Sequence, residues 1–98
     1  MHEILQSDSF KDWLSSLADR KARARIQARI DRLAMDNPGD VVPVGNGISE
    51  MRVHYGPGYR VYFLKRGSRV VVLLCGGDKS TQRGDIRKAK LIAEDWRN

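Results

Sequence analysis

The order of hydrophobic and polar positions predicts three consecutive β-strands in the second half of the chain. Residues 48–55 and 59–65 alternate between apolar and polar side chains, as half-buried strands do. Residues 69–75 are apolar at successive positions, which predicts an interior strand that is covered on both faces. The segments "GPG" and "RGS" lie between these strands and predict two tight turns, so the three strands form a meander.

The first half of the chain predicts one short strand and two helices. The strand covers residues 2–6 and the first helix covers residues 10–17, which Ser7 or Ser9 can cap. A second helix covers residues 20–35, because its apolar residues recur at the spacing of one helical face.

Polar and turn-forming residues mark the ends of the remaining elements. Asp19 is predicted to be the N-cap of the second helix, and the Pro-Gly turn in residues 36–40 ends that helix. Residues 41–47 are predicted to be a loop. A final helix is predicted from Ser80 to about Trp96.

This order of elements predicts an α+β fold in one domain spanning residues 1–98. Helices packed on one face of a mostly antiparallel sheet form such a layer arrangement. The first strand has no hairpin partner, so we expect it beside the apolar strand 69–75. A chain of 98 residues with 41% hydrophobic residues suffices for one compact core.

Composition narrows the classes of function. The longest apolar run, residues 70–75, is too short to span a bilayer, and Met1 to Gln6 does not have the form of a secretory signal. One cysteine, Cys75, and two distant histidines disfavour a disulfide or a zinc site, so we expect a cytoplasmic protein with no metal or cofactor. The net charge of +6, from 18 basic and 12 acidic residues, favours nucleic acid or an acidic protein as partner.

Strand alternation gathers the candidate chemistry on one face of the meander. If the helices cover the apolar side of the hairpin, the other side is open and carries two guanidiniums, an imidazole and a phenol, with an ammonium at the end of the neighbouring strand. These residues are Arg52, Arg60, His54, Tyr62 and Lys79. Arg52 and Arg60 can also be solvated sheet residues, since alternating polar positions are common in sheets, and a lone histidine such as His54 is more often structural than catalytic.

Such a set suits RNA binding and RNA cleavage without a metal. Arginines pair with phosphate oxygens, and tyrosine or histidine stacks on unpaired bases. Cleavage needs a base for the ribose 2′-hydroxyl, cations for the charged phosphorane and an acid for the leaving 5′-oxygen. His54 is the leading candidate for moving protons, because imidazoles titrate near neutrality. Tyr62, Tyr55 or Lys79 can share that work only if the group loses its proton more readily than usual.

Two further groups of residues are candidates for phosphate binding. In "GGDKST", Gly76 and Gly77 let backbone N–H groups approach an anion, while Lys79 and the start of a helix add positive charge. The P-loop pattern G-x-x-x-x-G-K-[ST] is not matched, and a plain strand-to-helix turn is the alternative. Arg25 and Arg29 lie with Arg32 on one flank of the second helix, which is either a solvated face or a contact for RNA or an acidic partner.

The stretch "MRVHYGPGYRVYF", followed by "VVVLLCGGDKSTQRGDIRKAK", resembles the addiction-module killer proteins of the RelE/ParE toxin superfamily, the HigB-like group. The resemblance covers essentially the whole chain. It implies the RelE-like two-layer fold, with two N-terminal helices on one face of the sheet and a C-terminal helix. It also implies a bacterial type II toxin, an mRNA endoribonuclease that acts in the ribosomal A site and inhibits translation.

The resemblance assigns roles to particular residues and names partners. Arg52 and Arg60 take the phosphate-binding positions, Lys79 falls at the family's basic motif, and His54 and Tyr55 fall where identities vary among relatives. The partners implied are the ribosome and mRNA, and a cognate helix-turn-helix antitoxin with acidic or apolar segments, through which operator DNA is reached.

Two other functions compete with the ribonuclease. The ParE branch of the same fold inhibits DNA gyrase, and fold alone does not separate the two branches. The retained Arg52/Arg60/Lys79 set favours RNA. The third hypothesis is a non-enzymatic binder, whose basic surface serves only the antitoxin complex on operator DNA.

Overall fold

A computed structural model describes residues 1–97 and contains a five-stranded sheet with helices on both faces. No helix within that range is long and apolar enough to cross a membrane. The elements in chain order are β1 (Glu3–Gln6), α1 (Asp8–Ser16), α2 (Arg20–Ala34), β2 (Val41–Gly45), β3 (Ile48–Val53), β4 (Tyr59–Arg66), β5 (Val70–Asp78), a short 3₁₀ helix (Lys79–Thr81) and α3 (Gln82–Glu94).

Side-chain caps fix where the first two helices begin. The hydroxyl of Ser7 accepts the backbone N–H of Phe10 at 3.0 Å, so Ser7 rather than Ser9 is the cap of α1. Asp19 accepts the N–H groups of Lys21 and Ala22 at 2.9 and 3.3 Å, which confirms it as the N-cap of α2. Both caps satisfy donors that have no partner inside the helix.

The strand order of the sheet is β1-β5-β4-β3-β2. β1 runs parallel to β5 and the other pairs are antiparallel, so the mixed α+β class and the position of the first strand are confirmed. The predicted loop over residues 41–47 is wrong, because β2 pairs with β3 through Val41–Met51 and Pro43–Ser49. Its proline is typical of a loop, yet an edge strand tolerates proline on the side that forms no ladder hydrogen bonds.

Both faces of the sheet are covered, and this corrects the expectation that one face is open. α1 and α2 pack on one face, where Ile26 and Ile30 meet Val61 and Phe63. On the other face, Ala89 and Ala93 of α3 share a core with Tyr62, Leu64 and Val72. A strand that is apolar on both faces needs a layer on each side, and the predicted double cover of the interior strand is confirmed.

A β-bulge in β5 reverses its alternation before the glycines. Tyr62 pairs with Cys75 and Phe63 pairs with Leu73, so Leu74 is the extra residue. The hydroxyl of Ser7 donates to the carbonyl of Leu74 at 2.5 Å, which ties the start of α1 to the bulge. β5 then continues through both glycines to Asp78, further than the predicted end at residue 75.

Candidate functional site

A buried carboxylate, Glu50 of β3, organises the cationic end of the sheet. Its Oε1 accepts Arg52 Nε at 3.1 Å and Arg60 Nη1 at 2.7 Å. Its Oε2 accepts the Tyr62 hydroxyl at 3.1 Å and Gln82 Nε2 at 2.8 Å. Glu50 has no solvent exposure, so its four donors fix one arrangement of the side chains around it.

The register of the β3–β4 hairpin explains why a carboxylate is needed here. Arg52 lies directly opposite Arg60, and Glu50 lies opposite Tyr62. Like charges at directly opposed positions destabilise a sheet. Glu50 precedes Arg52 by two residues in β3, so both side chains lie on the same face of the sheet. It supplies the counter-charge for both guanidiniums.

The charge state of Glu50 follows from opposing effects. Burial raises the pKa of a carboxyl, but hydrogen bonds from Gln82, Arg52 and Tyr62 and the charge of Arg60 outweigh it, so the pKa of Glu50 is lowered. The carboxylate is therefore ionised at neutral pH. The guanidiniums of Arg52 and Arg60 and the Glu50 carboxylate together carry one net positive charge. That charge is exposed mainly through Arg52, because its side chain is 38% exposed and that of Arg60 only 12%.

Neither Tyr62 nor Tyr55 has the lowered pKa that a role in proton transfer requires. Tyr62 was expected on an open face, but α3 buries it completely, and burial together with the Glu50 charge raises its pKa. The pKa of Tyr55 is also raised, by burial and by the hydrogen bond that its hydroxyl donates to Asp19 at 3.1 Å. Both phenols therefore hold their protons more firmly than usual and donate hydrogen bonds to carboxylates.

Glu50 with its four partners, Arg52, Arg60, Tyr62 and Gln82, is called the Glu50 cluster below. Lys79 lies beside this cluster, at the first turn of the 3₁₀ helix. A cleft of about 500 Å³ is lined by Lys79, Ser80, Gln82, Arg83 and Ile86, and Gln82 reaches from this cleft to Glu50. Asp78 caps the turn by accepting the Ser80 N–H at 2.8 Å. The structure thus brings the predicted Lys79 to the end of the sheet where the two arginines lie.

Gly76 and Gly77 allow two other side chains to pack closely against β5. A Cβ on Gly76 would lie less than 3.0 Å from the Trp13 ring, and one on Gly77 equally close to the Asp85 carboxylate. The space beside each glycine is therefore filled by another side chain. Glycine is therefore needed at both positions for this close packing, and the predicted contact of their backbone with a phosphate stays a prediction.

His54 is held by an acidic partner that the strand pattern did not indicate. Its Nε2 lies 2.6 Å from Asp40 Oδ2, and the His54 side chain is 75% exposed. Asp40 also accepts the backbone N–H of Arg52 through its carbonyl at 3.0 Å. The hydrogen bond with His54, with further contributions from the charges of Arg52 and Arg29, lowers the pKa of Asp40.

The α2 arginines meet His54 at a second cleft, which we call the α2 cleft. It has a volume of about 300 Å³ and is lined by Arg25, Ala28, Arg29, Arg32, Val53, His54 and Tyr55. Arg29 donates to the carbonyls of Arg52 and Pro38, the latter at 2.8 Å, and Arg25 lies over the Tyr55 ring at 4.7 Å from its centroid. The predicted candidates on α2 therefore face the same space as His54 and Tyr55, which follow β3.

Three residues of these arrangements were missed as site residues: Glu50, Gln82 and Asp40. The hairpin register was a usable signal for Glu50, since a turn at "GPG" sets Arg52 opposite Arg60 and calls for a nearby acid. No local pattern indicates Gln82 or Asp40, whose partners lie 32 and 14 residues away. Within residues 1–97, no group of three or more His, Cys, Asp or Glu side chains could hold a metal.

Comparison with known proteins identifies the family of this chain and a close relative. Residues 12–97 match the family described as "Phage derived protein Gp49-like (DUF891)", a RelE-like, toxin-like family of addiction modules. An uncharacterized protein of Haemophilus influenzae (strain ATCC 51907 / DSM 11121 / KW20 / Rd) is 51% identical over 93 residues. That alignment covers 95% of this chain and 94% of the relative.

Proposed function

Because the chain belongs to the Gp49-like family of phage-derived, toxin-like proteins, we propose that it is the toxin of a type II toxin–antitoxin module and cleaves mRNA on the ribosome. Its partners under this proposal are the ribosome with its message and a cognate antitoxin that neutralises it. The antitoxin supplies the DNA-binding motif through which the complex represses its own operon.

The observation that carries the proposal is the shared anchoring of Arg52 and Arg60 on buried Glu50. An arginine free in solution must lose rotamer entropy to hold a phosphate. Glu50 removes part of that cost before RNA arrives. Donors fixed in advance stabilise developing charge most effectively, which supports a role in binding the phosphorane rather than only the ground state.

The proposed reaction is transesterification within the message. His54 takes the proton of a ribose 2′-hydroxyl, and the 2′-oxygen attacks the adjacent phosphorus while the bond from phosphorus to the 5′-oxygen breaks. The leaving 5′-oxygen takes up a proton, and the products are a 2′,3′-cyclic phosphate and a 5′-hydroxyl. Asp40 holds the His54 ring, and Arg52, Arg60 and Lys79 stabilise the phosphorane.

The test is induced expression of the chain without antitoxin, followed within minutes by mapping of mRNA 5′ ends. We expect new ends inside translated frames, in register with codons. Lys79→Gln removes one exposed charge of the site. Lys88→Gln removes one exposed charge on α3, away from the site. The Lys79 variant should lose cleavage while the Lys88 variant retains it.

Other results would overturn the proposal. Growth arrest with intact messages would exclude an mRNA nuclease and turn attention to gyrase. Equal cleavage by both lysine variants would remove Lys79 from the site.

Arg60→Ala is a poorer probe, because Arg60 is mostly buried and its loss would disturb folding as well as chemistry.

A further inference from the structure

We propose that the α2 cleft is a second phosphate-binding site, which holds the backbone of single-stranded RNA next to the Glu50 cluster. The choice of RNA as ligand rests on the proposed function. The site itself is argued from the side chains that line the cleft.

Arg29 forms a fixed positive floor to this cleft. Its guanidinium donates to the backbone carbonyls of Arg52, Pro38 and, at 3.5 Å, Asp40. It forms no salt bridge with a carboxylate of residues 1–97. Burial, then repulsion by Arg32, lowers the pKa of Arg29 by more than the charge of Asp40 raises it, so a bound anion would relieve an unfavourable charge.

Two exposed arginines stand at the rim of the cleft. Arg25 and Arg32 also lack salt bridges within the described residues, although acidic side chains are common on the protein surface. Their guanidiniums are free to donate to phosphate oxygens in forked geometry. Three arginines surround about 300 Å³ and outnumber the one carboxylate, that of Asp40, whose charge acts on Arg29. They therefore produce a local field that attracts polyanions.

An aromatic ring inside the cleft favours RNA over an acidic peptide. Arg25 lies over Tyr55, and the hydroxyl of that ring is anchored on Asp19. A guanidinium and an aromatic ring held together form a platform on which an unpaired base can stack. An acidic peptide would use the charges but has no need of the platform.

The His54–Asp40 pair joins the cleft to the Glu50 cluster. His54 lines the cleft, while Asp40 contacts the backbone of Arg52 and is influenced by the charges of both Arg52 and Arg29. One RNA strand can therefore place one phosphate in the α2 cleft and another at Arg52 and Arg60. The ribose between them would then lie beside His54.

The test uses a fluorescein-labelled 12-nucleotide 2′-O-methyl RNA, which lacks the free 2′-hydroxyl and cannot be cleaved. Fluorescence anisotropy across a range of salt concentrations gives the Kd and its salt dependence. Arg25→Gln/Arg32→Gln is compared with Arg87→Gln/Lys88→Gln, which removes the same charge from exposed positions on α3. Thermal unfolding of each variant confirms that it is folded.

We expect the Arg25/Arg32 variant to bind at least about tenfold more weakly. The slope of log K against log salt should fall in magnitude by about 0.7 for each phosphate contact that is lost. The Arg87/Lys88 control should keep both values. Arg25→Lys/Arg32→Lys retains the charges, so it should recover part of the affinity but not the contribution of stacking.

Equal weakening in the two charge-matched variants would show a general effect of net charge and would overturn the site. Unchanged RNA affinity in the Arg25/Arg32 variant would overturn it as well. If that variant loses affinity for labelled poly-L-glutamate but not for RNA, the cleft is a contact for an acidic protein. Because the RNA probe is uncleavable, a protein that fails to cleave mRNA can still pass this test.

Discussion

Gln82 Nε2 donates to Glu50 Oε2 across 2.8 Å and joins the first turn of α3 to the carboxylate buried in β3. This hydrogen bond connects the two halves of the candidate site. On one side are Arg52 and Arg60, and on the other are Lys79 and the cleft beside it. Loss of the carboxylate should therefore affect both the stability of the fold and the position of its cations.

Glu50→Gln should destabilise the protein by about 3 kcal/mol. Removing one partner of a buried charge cluster leaves the others uncompensated, and the lower part of the usual range applies because Arg52 is partly exposed. Urea unfolding of the variant measures the change. Glu94→Gln, on the exposed side of α3, should be within about 0.5 kcal/mol of the wild type. Similar losses in the two variants would contradict a special role for Glu50.

The destabilisation by Glu50→Gln should depend on pH. The pKa of Glu50 is lowered in the folded state from an ordinary value of 4.5. The ionised carboxylate therefore contributes its full stabilisation above pH 4.5 and loses it as the pH falls through the folded pKa. The free energies of unfolding of wild type and variant should converge in acid. A difference that stays constant from pH 7 to the acid limit of the folded state would disprove this linkage.

Gly76→Ala should destabilise the protein by about 1–3 kcal/mol or more, because the new methyl group would overlap the Trp13 ring beside β5. Gly84→Ala is the matched control. Its Cβ would meet nothing within 4 Å, and alanine in a helix should stabilise by about 0.5–1 kcal/mol. Thermal unfolding should therefore shift in opposite directions for the two variants, by about 4–8 °C per kcal/mol. A tolerated Gly76→Ala would mean that Trp13 can move away.

Arg29→Lys should lower stability by about 1–3 kcal/mol even though the charge is kept. The guanidinium serves several backbone carbonyls at once, and a lysine ammonium cannot reproduce that fork. Arg25→Lys, at an exposed position on the same helix, should be nearly neutral. Guanidinium chloride unfolding of the pair separates an anchoring role of Arg29 from a purely electrostatic one.

Local patterns were sufficient for most of the fold. Four of the five strands, both N-terminal helices and the Asp19 cap depend on periodicity and on contacts between near neighbours in sequence. β2 was missed because its proline and glycine are typical of loops, and its pairing with β3 depends on a neighbouring strand rather than on its own composition.

The cationic residues of the candidate site could also be predicted, but their surroundings could not. Alternation placed Arg52 and Arg60 on one face, and Lys79 at the end of the neighbouring strand. That Tyr62 is buried and that Glu50 collects four donors depend on where α3 packs. His54 and the α2 arginines share a cleft only because Arg29 ties α2 to the strand that precedes His54.

The sequence by itself determined which residues alternate, where the helices begin and which strand needed cover on both faces. Only the tertiary structure decided which helix supplied the second cover, because Ala89 and Ala93 can pack closely on any apolar surface of suitable shape. The same packing brought Gln82 to Glu50 from 32 residues away. Contacts of that kind depend on the whole arrangement of layers, and no local pattern of residues specifies them.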